Sequence, residues 1–235
     1  MRCKRLHAVP LRAMNDTPSG DRTGTTIRRY RHADHDAVYD ICVRTAAAGG
    51  DARGAYAHDD LMPDLFAGPY LHLEPDLAFV LAEGDRAVGY VVGTADTAAF
   101  VRAYRTRWIP RLADRYPAPS RPPATPDEEM IALHHRPERM LLPELAGYPA
   151  HLHIDLLPSH QGAGHGRRLL KTFLAAAARA GAPALHIGMV TANTRARGFY
   201  DRLGFHRIPV PDPGPITYLG RSTGPPPGAS PRPQG

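Results

Sequence analysis

Cysteine is almost missing from this 235-residue chain, which holds only Cys3 and Cys42. Two cysteines say nothing about bridges, give no metal-ligand spacing, and suit a reducing compartment. No stretch approaches the ~18 consecutive apolar residues of a membrane span. The basic opening MRCKRLHAVPLRAM lacks the apolar centre of a secretory signal. A cytoplasmic protein with no membrane partner is therefore expected. Concentrated charge is also lacking. The formal net charge is +6, yet the arginines scatter and no recognition module accompanies them. Nucleic acid is not expected as a partner. There is no internal repeat.

What remains is a chain with 43% apolar residues, enough for a substantial core in a single domain. Residues 1–24 include the non-periodic run NDTPSGDRTG and read as a disordered leader; residues 222–235 form a Pro/Gly-rich tail. Between them, residues 25–221 carry the domain. TTIRRYR reads as a strand, and DHDAVYDICVRTAAAGG as a helix with Val38, Ile41, Cys42 and Thr45 at helical spacing. A short helix is expected at Asp59–Phe66. LAFVLAEGDRAVGYVVGTAD reads as a β-hairpin turning at Glu-Gly-Asp-Arg. TAAFVRAYRTRWIPRLADRY is a helical pattern broken at Pro110, followed by a proline-rich loop and a helix over DEEMIALHH. Nothing in the pattern assigns a role to the 97–148 insert; its Trp108 and Tyr104–Tyr116 helix fit either a substrate lid or packing. HLHIDLLP is a strand, GHGRRLLKTFLAAAARAG a helix closed by Gly181, and ALHIGMV a strand. NTRARGFYDRLGF is a helix capped by Asn193 and stopped by Gly204, and PITYLG is a last strand. That order implies an α/β domain with a mixed sheet.

The most unusual stretch is Gln161-Gly162-Ala163-Gly164-His165-Gly166, between the HLHIDLLP strand and a helix. Ordered glycines cost entropy, so three in five residues need a backbone reason. A nucleotide P-loop needs Gly-Lys-Ser/Thr, whereas Arg167-Arg168-Leu169 follows here. A dinucleotide fingerprint needs G-x-G-x-x-G with an acidic residue about 20 positions on, where this chain has His186. Both are excluded. A strand-to-helix turn still gathers unpaired N–H groups in front of a helix dipole, and glycines let a phosphate approach closely. On these residues alone, a diphosphate cradle and an ordinary turn both stand.

Q-x-x-G-x-G after Leu156-Leu157-Pro158, followed about 30 residues later by Asn193-x-x-Ala196-x-x-Phe199-Tyr200-x-x-x-Gly204-Phe205, resembles the paired signatures of the GNAT superfamily of N-acetyltransferases. The resemblance covers 25–221 in element order and 151–205 at residue level. It implies the GNAT fold, an α/β (α+β) domain whose mixed, mostly antiparallel central sheet splays at the cofactor strand. It also implies acetyl-CoA as cosubstrate, with no metal. The backbone of Gly162, Ala163, Gly164, His165, Gly166 and Arg167, behind Gln161, would hold the pyrophosphate. Leu156 and Leu157 would bond the pantetheine arm like an added strand. Asn193 resembles the family's cofactor-contacting asparagine, and Tyr200 the tyrosine that protonates the departing thiolate. Equally, Asn193 could be only a helix cap and Phe199–Tyr200 core aromatics.

A base must take the proton of the attacking amine. Alternation puts His151, His153 and Asp155 on one face of the strand, a face that either meets solvent or lines the substrate cleft. The AHLH run is similar to the paired-histidine strand of the serotonin N-acetyltransferases, where the histidines relay that proton. Asp155 is the alternative base or an anchor for a cationic substrate. With both cysteines remote from the motifs, direct attack in a ternary complex is expected. YPAHLHIDLLP and the terminal YLGRST resemble, more weakly, the acetyltransferase-like C-terminal domain of animal O-GlcNAcases and its bacterial relatives. That domain lacks the glycine loop, which is intact here. The expected function is transfer of an acetyl group from acetyl-CoA to a primary amine of a small molecule or peptide, by a monomer or homodimer. An acetyl-CoA-binding module without turnover is the alternative.

Overall fold

Two apolar runs folded back on a Gly84–Asp85 turn give the sheet its spine. The computed structural model describes residues 24–47 and 49–224; the expected leader, the tail and Cys3 lie essentially outside them. Strands β2 (Phe79–Glu83) and β3 (Arg86–Thr94) pair antiparallel, with Glu83 opposite Arg86. Gly84 turns at φ +57°, a conformation glycine adopts without penalty. Strand β1 (Thr25–Arg29) joins the outer side of β2, and β4 (Ala150–Leu156) the other side of β3. Strands β5 (Ala184–Val190), β6 (His206–Arg207) and β7 (Ile216–Ser222) complete a seven-stranded sheet in the order β1-β2-β3-β4-β5-β7-β6.

Every neighbouring pair is antiparallel except β4 and β5, which are parallel and pair only at Ala150–Leu185 and His151–His186. Beyond His151 the two strands diverge. The sheet is thus mixed, mostly antiparallel, and split at β4.

Helix α7 (His165–Arg179) covers one face. Its Leu169, Leu170, Phe173, Leu174, Ala176 and Ala177 form a single buried stripe at helical spacing. A Cβ at Gly93 of β3 would lie 2.6 Å from the Phe173 ring, so the absent side chain lets the helix settle on the sheet. The opposite face carries α1 (His35–Val43), α2 (Leu61–Phe66), α3 (Gly68–Leu73) and α4 (Thr97–Ala103). The helical pattern does not break at Pro110. A π-helical turn, Tyr104–Trp108, leads into α5 (Ile109–Arg111), so the helix carries on one residue past Pro110 and ends at Leu112. Helix α6 (Pro126–His134) follows the proline-rich loop. Helix α8 (Thr194–Asp201) lies between β5 and β6. Among the described residues no helix is long and apolar enough to cross a membrane.

The 97–148 insert packs. Trp108 is buried with its Nε1–H donating to the Asp64 carbonyl at 2.9 Å, and the Tyr104 hydroxyl meets His134 Nδ1 at 2.8 Å.

Candidate active site

The glycine run forms a tight turn with an open mouth. Gly162 and Gly164 adopt φ +83° and +85°, a region that other residues enter only with strain. A Cβ at either would meet no protein atom within 4 Å; both point into open space. Gly164 is the N-cap of α7 and no side chain caps that turn, so the first N–H groups of the helix face outward with its dipole behind them. Gln161 staples the turn to the strand, its Nε2 donating to the Leu156 carbonyl at 2.8 Å. Gly166 admits α8 closely, since a Cβ there would lie 3.3 Å from the Phe199 ring. Ala163 and Arg167 are exposed beside the mouth and His165 is buried beneath it.

The split beside β4 supplies unpaired backbone. The Leu157 N–H donates to the Val88 carbonyl at 3.0 Å and is committed to the sheet. The expectation that Leu157 offers its N–H to a ligand is therefore corrected. Antiparallel alternation turns the main-chain groups of Leu156 and Ile154 the other way, into the gap where β5 has moved off. Ile154 joins Leu156 there, a position that the motif did not reveal.

The polar face of β4 differs from both expectations for it. It is covered by α1, α3 and α4 and only partly opens to a cleft. His151 is 6% exposed, with Nε2 2.7 Å from the Tyr70 hydroxyl and Nδ1 2.7 Å from the Thr97 hydroxyl. Thr97 spends its hydroxyl proton on the Pro149 carbonyl at 2.7 Å. It therefore accepts from His151 Nδ1–H, which leaves Nε2 to accept from Tyr70. Burial, then His186, His153 and Arg139, hold His151 well below the ordinary histidine pKa. This is a neutral imidazole with both nitrogens occupied.

His153 is half-buried, edge-on to Tyr70 and Phe66 at 5.3 and 5.6 Å, and its ring makes no hydrogen bond to the described chain. Burial first and Arg139 second push it down to about 4. Asp155 accepts from the Tyr90 hydroxyl at 2.7 Å, and burial raises its pKa against that bond. Tyr200 is 9% exposed between Phe199 and Phe205, 5.0 and 5.2 Å away, and its hydroxyl has no partner among the described residues. Burial and the nearby Asp155 charge raise its pKa. Asn193 accepts from the Ala196 N–H at 2.9 Å, capping α8. The structure thus brings Tyr200, Asp155, His153, the Leu156 backbone and the glycine turn around one split. It sets His151 aside as a buried strut. Among the described residues no three His, Cys, Asp or Glu side chains form a group able to hold a metal ion.

A split parallel pair beside a glycine turn, inside a mostly antiparallel sheet, defines an acetyltransferase of the GNAT class. Residues 36–205 match the Acetyltransferase (GNAT) family, and the chain belongs to it. It is similar to the crystal structure of SsHAT, at 61% identity and a TM-score of 0.83, over 86% of this chain and 99% of that one. It is also 28% identical over 201 residues to the Protein O-GlcNAcases of Rattus norvegicus and Mus musculus, across 84% of this chain. The match spans only 22% of those relatives' own length. The structure of yncA from Salmonella typhimurium with its cofactor acetyl-CoA shares the fold, at 18% identity and a TM-score of 0.52 over 88% of this chain and 98% of that one.

Proposed function

We propose that the protein is an acetyl-CoA-dependent N-acetyltransferase acting on a primary amine by direct attack in a ternary complex. The observation that carries the reading is the alignment of two open features, the uncapped glycine turn and the β4–β5 split. Together they offer anion-binding N–H groups at one end and strand-edge backbone at the other. The cosubstrate supplies an activated acetyl group as a thioester. Gly162, Ala163, Gly164, His165, Gly166 and Arg167 would hold its pyrophosphate. Leu156 and Ile154 would bond the pantetheine arm, and Asn193 would contact the cofactor from the start of α8.

The chain's own residues then handle two protons. The acceptor nitrogen forms a bond to the carbonyl carbon, the carbon–sulfur bond breaks, one proton leaves nitrogen, and the sulfur gains one. His153 accepts the nitrogen's proton, because its ring is neutral at pH 7 and makes no hydrogen bond to the described chain. A base with a pKa near 4 suffices, since the N–H becomes far more acidic as the C–N bond forms. Asp155 draws the amine in by charge. The Leu156 N–H faces the developing oxyanion. Tyr200 donates to the departing sulfur; its raised pKa favours a hydrogen bond to sulfur over complete proton transfer.

Release of CoA in the presence of amino acids, polyamines, aminoglycosides and basic peptides, with the N-acetylated product weighed by mass spectrometry, tests the reading. Acceptor-dependent release with a matching product is expected. Tight acetyl-CoA binding without release on any acceptor would turn the reading into a binding module.

A further inference from the structure

Asp155 is the one carboxylate on β4, and among the described residues it makes no ion pair. It is half-buried. A carboxylate so placed, without a cation beside it, depends on hydrogen bonds to stay charged. The β3–β4 ladder sets Tyr90 directly opposite Asp155, and the Tyr90 hydroxyl donates to Oδ2 at 2.7 Å. A Cβ at Gly89 would lie 2.9 Å from Leu156 Cγ and 3.1 Å from the Asp155 carbonyl oxygen. The bare glycine thus lets β3 close on β4 beside this pair. Tyr90 is 0% exposed, so packing on every side fixes where its hydroxyl lies.

The other polar groups around the pair do not take over that bond. Thr45, beyond the end of α1, spends its hydroxyl proton on the Ile41 carbonyl at 2.7 Å. Cys42 of α1 is buried, and burial pushes its thiol up to about 12. It is a neutral S–H, a weak donor, and leaves the Tyr90 proton to the carboxylate. Tyr200, from α8, is neutral as well, its pKa raised by burial. A bond from a hydroxyl to a charged acceptor is roughly twice as strong as one between neutral groups. Held at Oδ2, the carboxylate loses its rotational freedom and presents Oδ1.

We propose that Tyr90 is a positioning residue for the acceptor: its hydroxyl anchors one oxygen of Asp155 so that the other receives an ammonium group. This rests on the acetyl-transfer reading, in which Asp155 draws the amine in by charge. Tyr90 itself touches neither substrate.

The test reads Asp155 directly and then through the acceptor. The aspartate carboxyl resonances are followed by NMR across pH, Asp155 being assigned with Asp155→Asn. Wild type is compared with Tyr90→Phe and with protein carrying fluorotyrosine at position 90, a stronger donor of nearly the same shape that keeps the test available if Tyr90→Phe unfolds. Asp155 should titrate about one to two pH units higher in Tyr90→Phe and lower than wild type with fluorotyrosine. At pH 7, Tyr90→Phe should raise KM for n-alkylamines about tenfold, with acetyl-CoA affinity intact. In an Asp155→Asn background the same change should add less than about twofold, because the carboxylate it serves is gone. An Asp155 titration that ignores both changes at position 90, or a loss just as large in the Asp155→Asn background, overturns the proposal. Titrations that shift as expected while no amine is acetylated would instead sink the transfer reading and leave the Tyr90–Asp155 anchor standing.

Discussion

Gly164→Val separates the cost of a bent backbone from the cost of a blocked cradle. The side chain would be forced to φ +85°, which costs about 1–3 kcal/mol for a residue with a Cβ. It meets no protein atom within 4 Å, so no clash adds to that figure. Against a typical stability of about 5–15 kcal/mol the variant stays folded. At roughly 2–4 °C per kcal/mol for a domain of this size, its thermal midpoint falls by about 2–12 °C. A matched control exists at the far end of the same helix. Gly181 has φ +91° and equally open surroundings, so Gly181→Val carries the same strain. Calorimetry with acetyl-CoA should show affinity falling more than a hundredfold in Gly164→Val and holding within about threefold in Gly181→Val, a difference of more than ~2 kcal/mol. Equal affinities in the two folded variants would refute the cradle.

Tyr200→Phe should slow turnover ten- to a hundredfold with acetyl-CoA affinity intact, because the bond to sulfur forms only as the thiolate leaves; an equal loss of affinity would make Tyr200 a packing residue. His151→Gln should lower stability by about 1–3 kcal/mol, through the broken Tyr70–His151–Thr97 chain, and leave the pH–rate profile in place. His153→Gln should do the reverse, slowing turnover and erasing an acidic limb near pH 4, which kinetics from pH 3.5 to 8 would reveal. Buried His134 is pushed down to about 4 by burial and by His135. The unfolded chain therefore takes up its proton first as pH falls below 6.5. The stability His134 contributes is complete at pH 7 and declines toward pH 4, by about 2 kcal/mol at pH 5. Urea melts of His134→Phe should show a correspondingly shallower pH slope, and an unchanged slope would place the acid sensitivity elsewhere.

What the sequence disclosed is what short-range chemistry controls. Gly164 before α7, Asn193 as the cap of α8, and Gly84 in a hairpin announce themselves because each backbone conformation is set by neighbours in the chain. The β4 alternation likewise told which side chains share a face. It could not tell what covers that face, since Tyr70, Thr97 and Phe66 arrive from elements 50 to 90 residues earlier. Hence the pairing of His151 was hidden and its role as base was overestimated. Pro110 reads as a breaker under i→i−4 bonding, and the π turn that accommodates it leaves no mark in periodicity.

Hydrogen–deuterium exchange with and without acetyl-CoA tests the central claim most directly, because it asks where the ligand sits as well as whether it binds. Bound acetyl-CoA should raise the thermal midpoint and slow exchange at the amides of 154–156, 162–167 and 193–200, leaving α1 and the β1–β2 edge unaffected. A midpoint that does not move, or protection that falls outside the glycine turn and the β4–β5 split, would contradict the account.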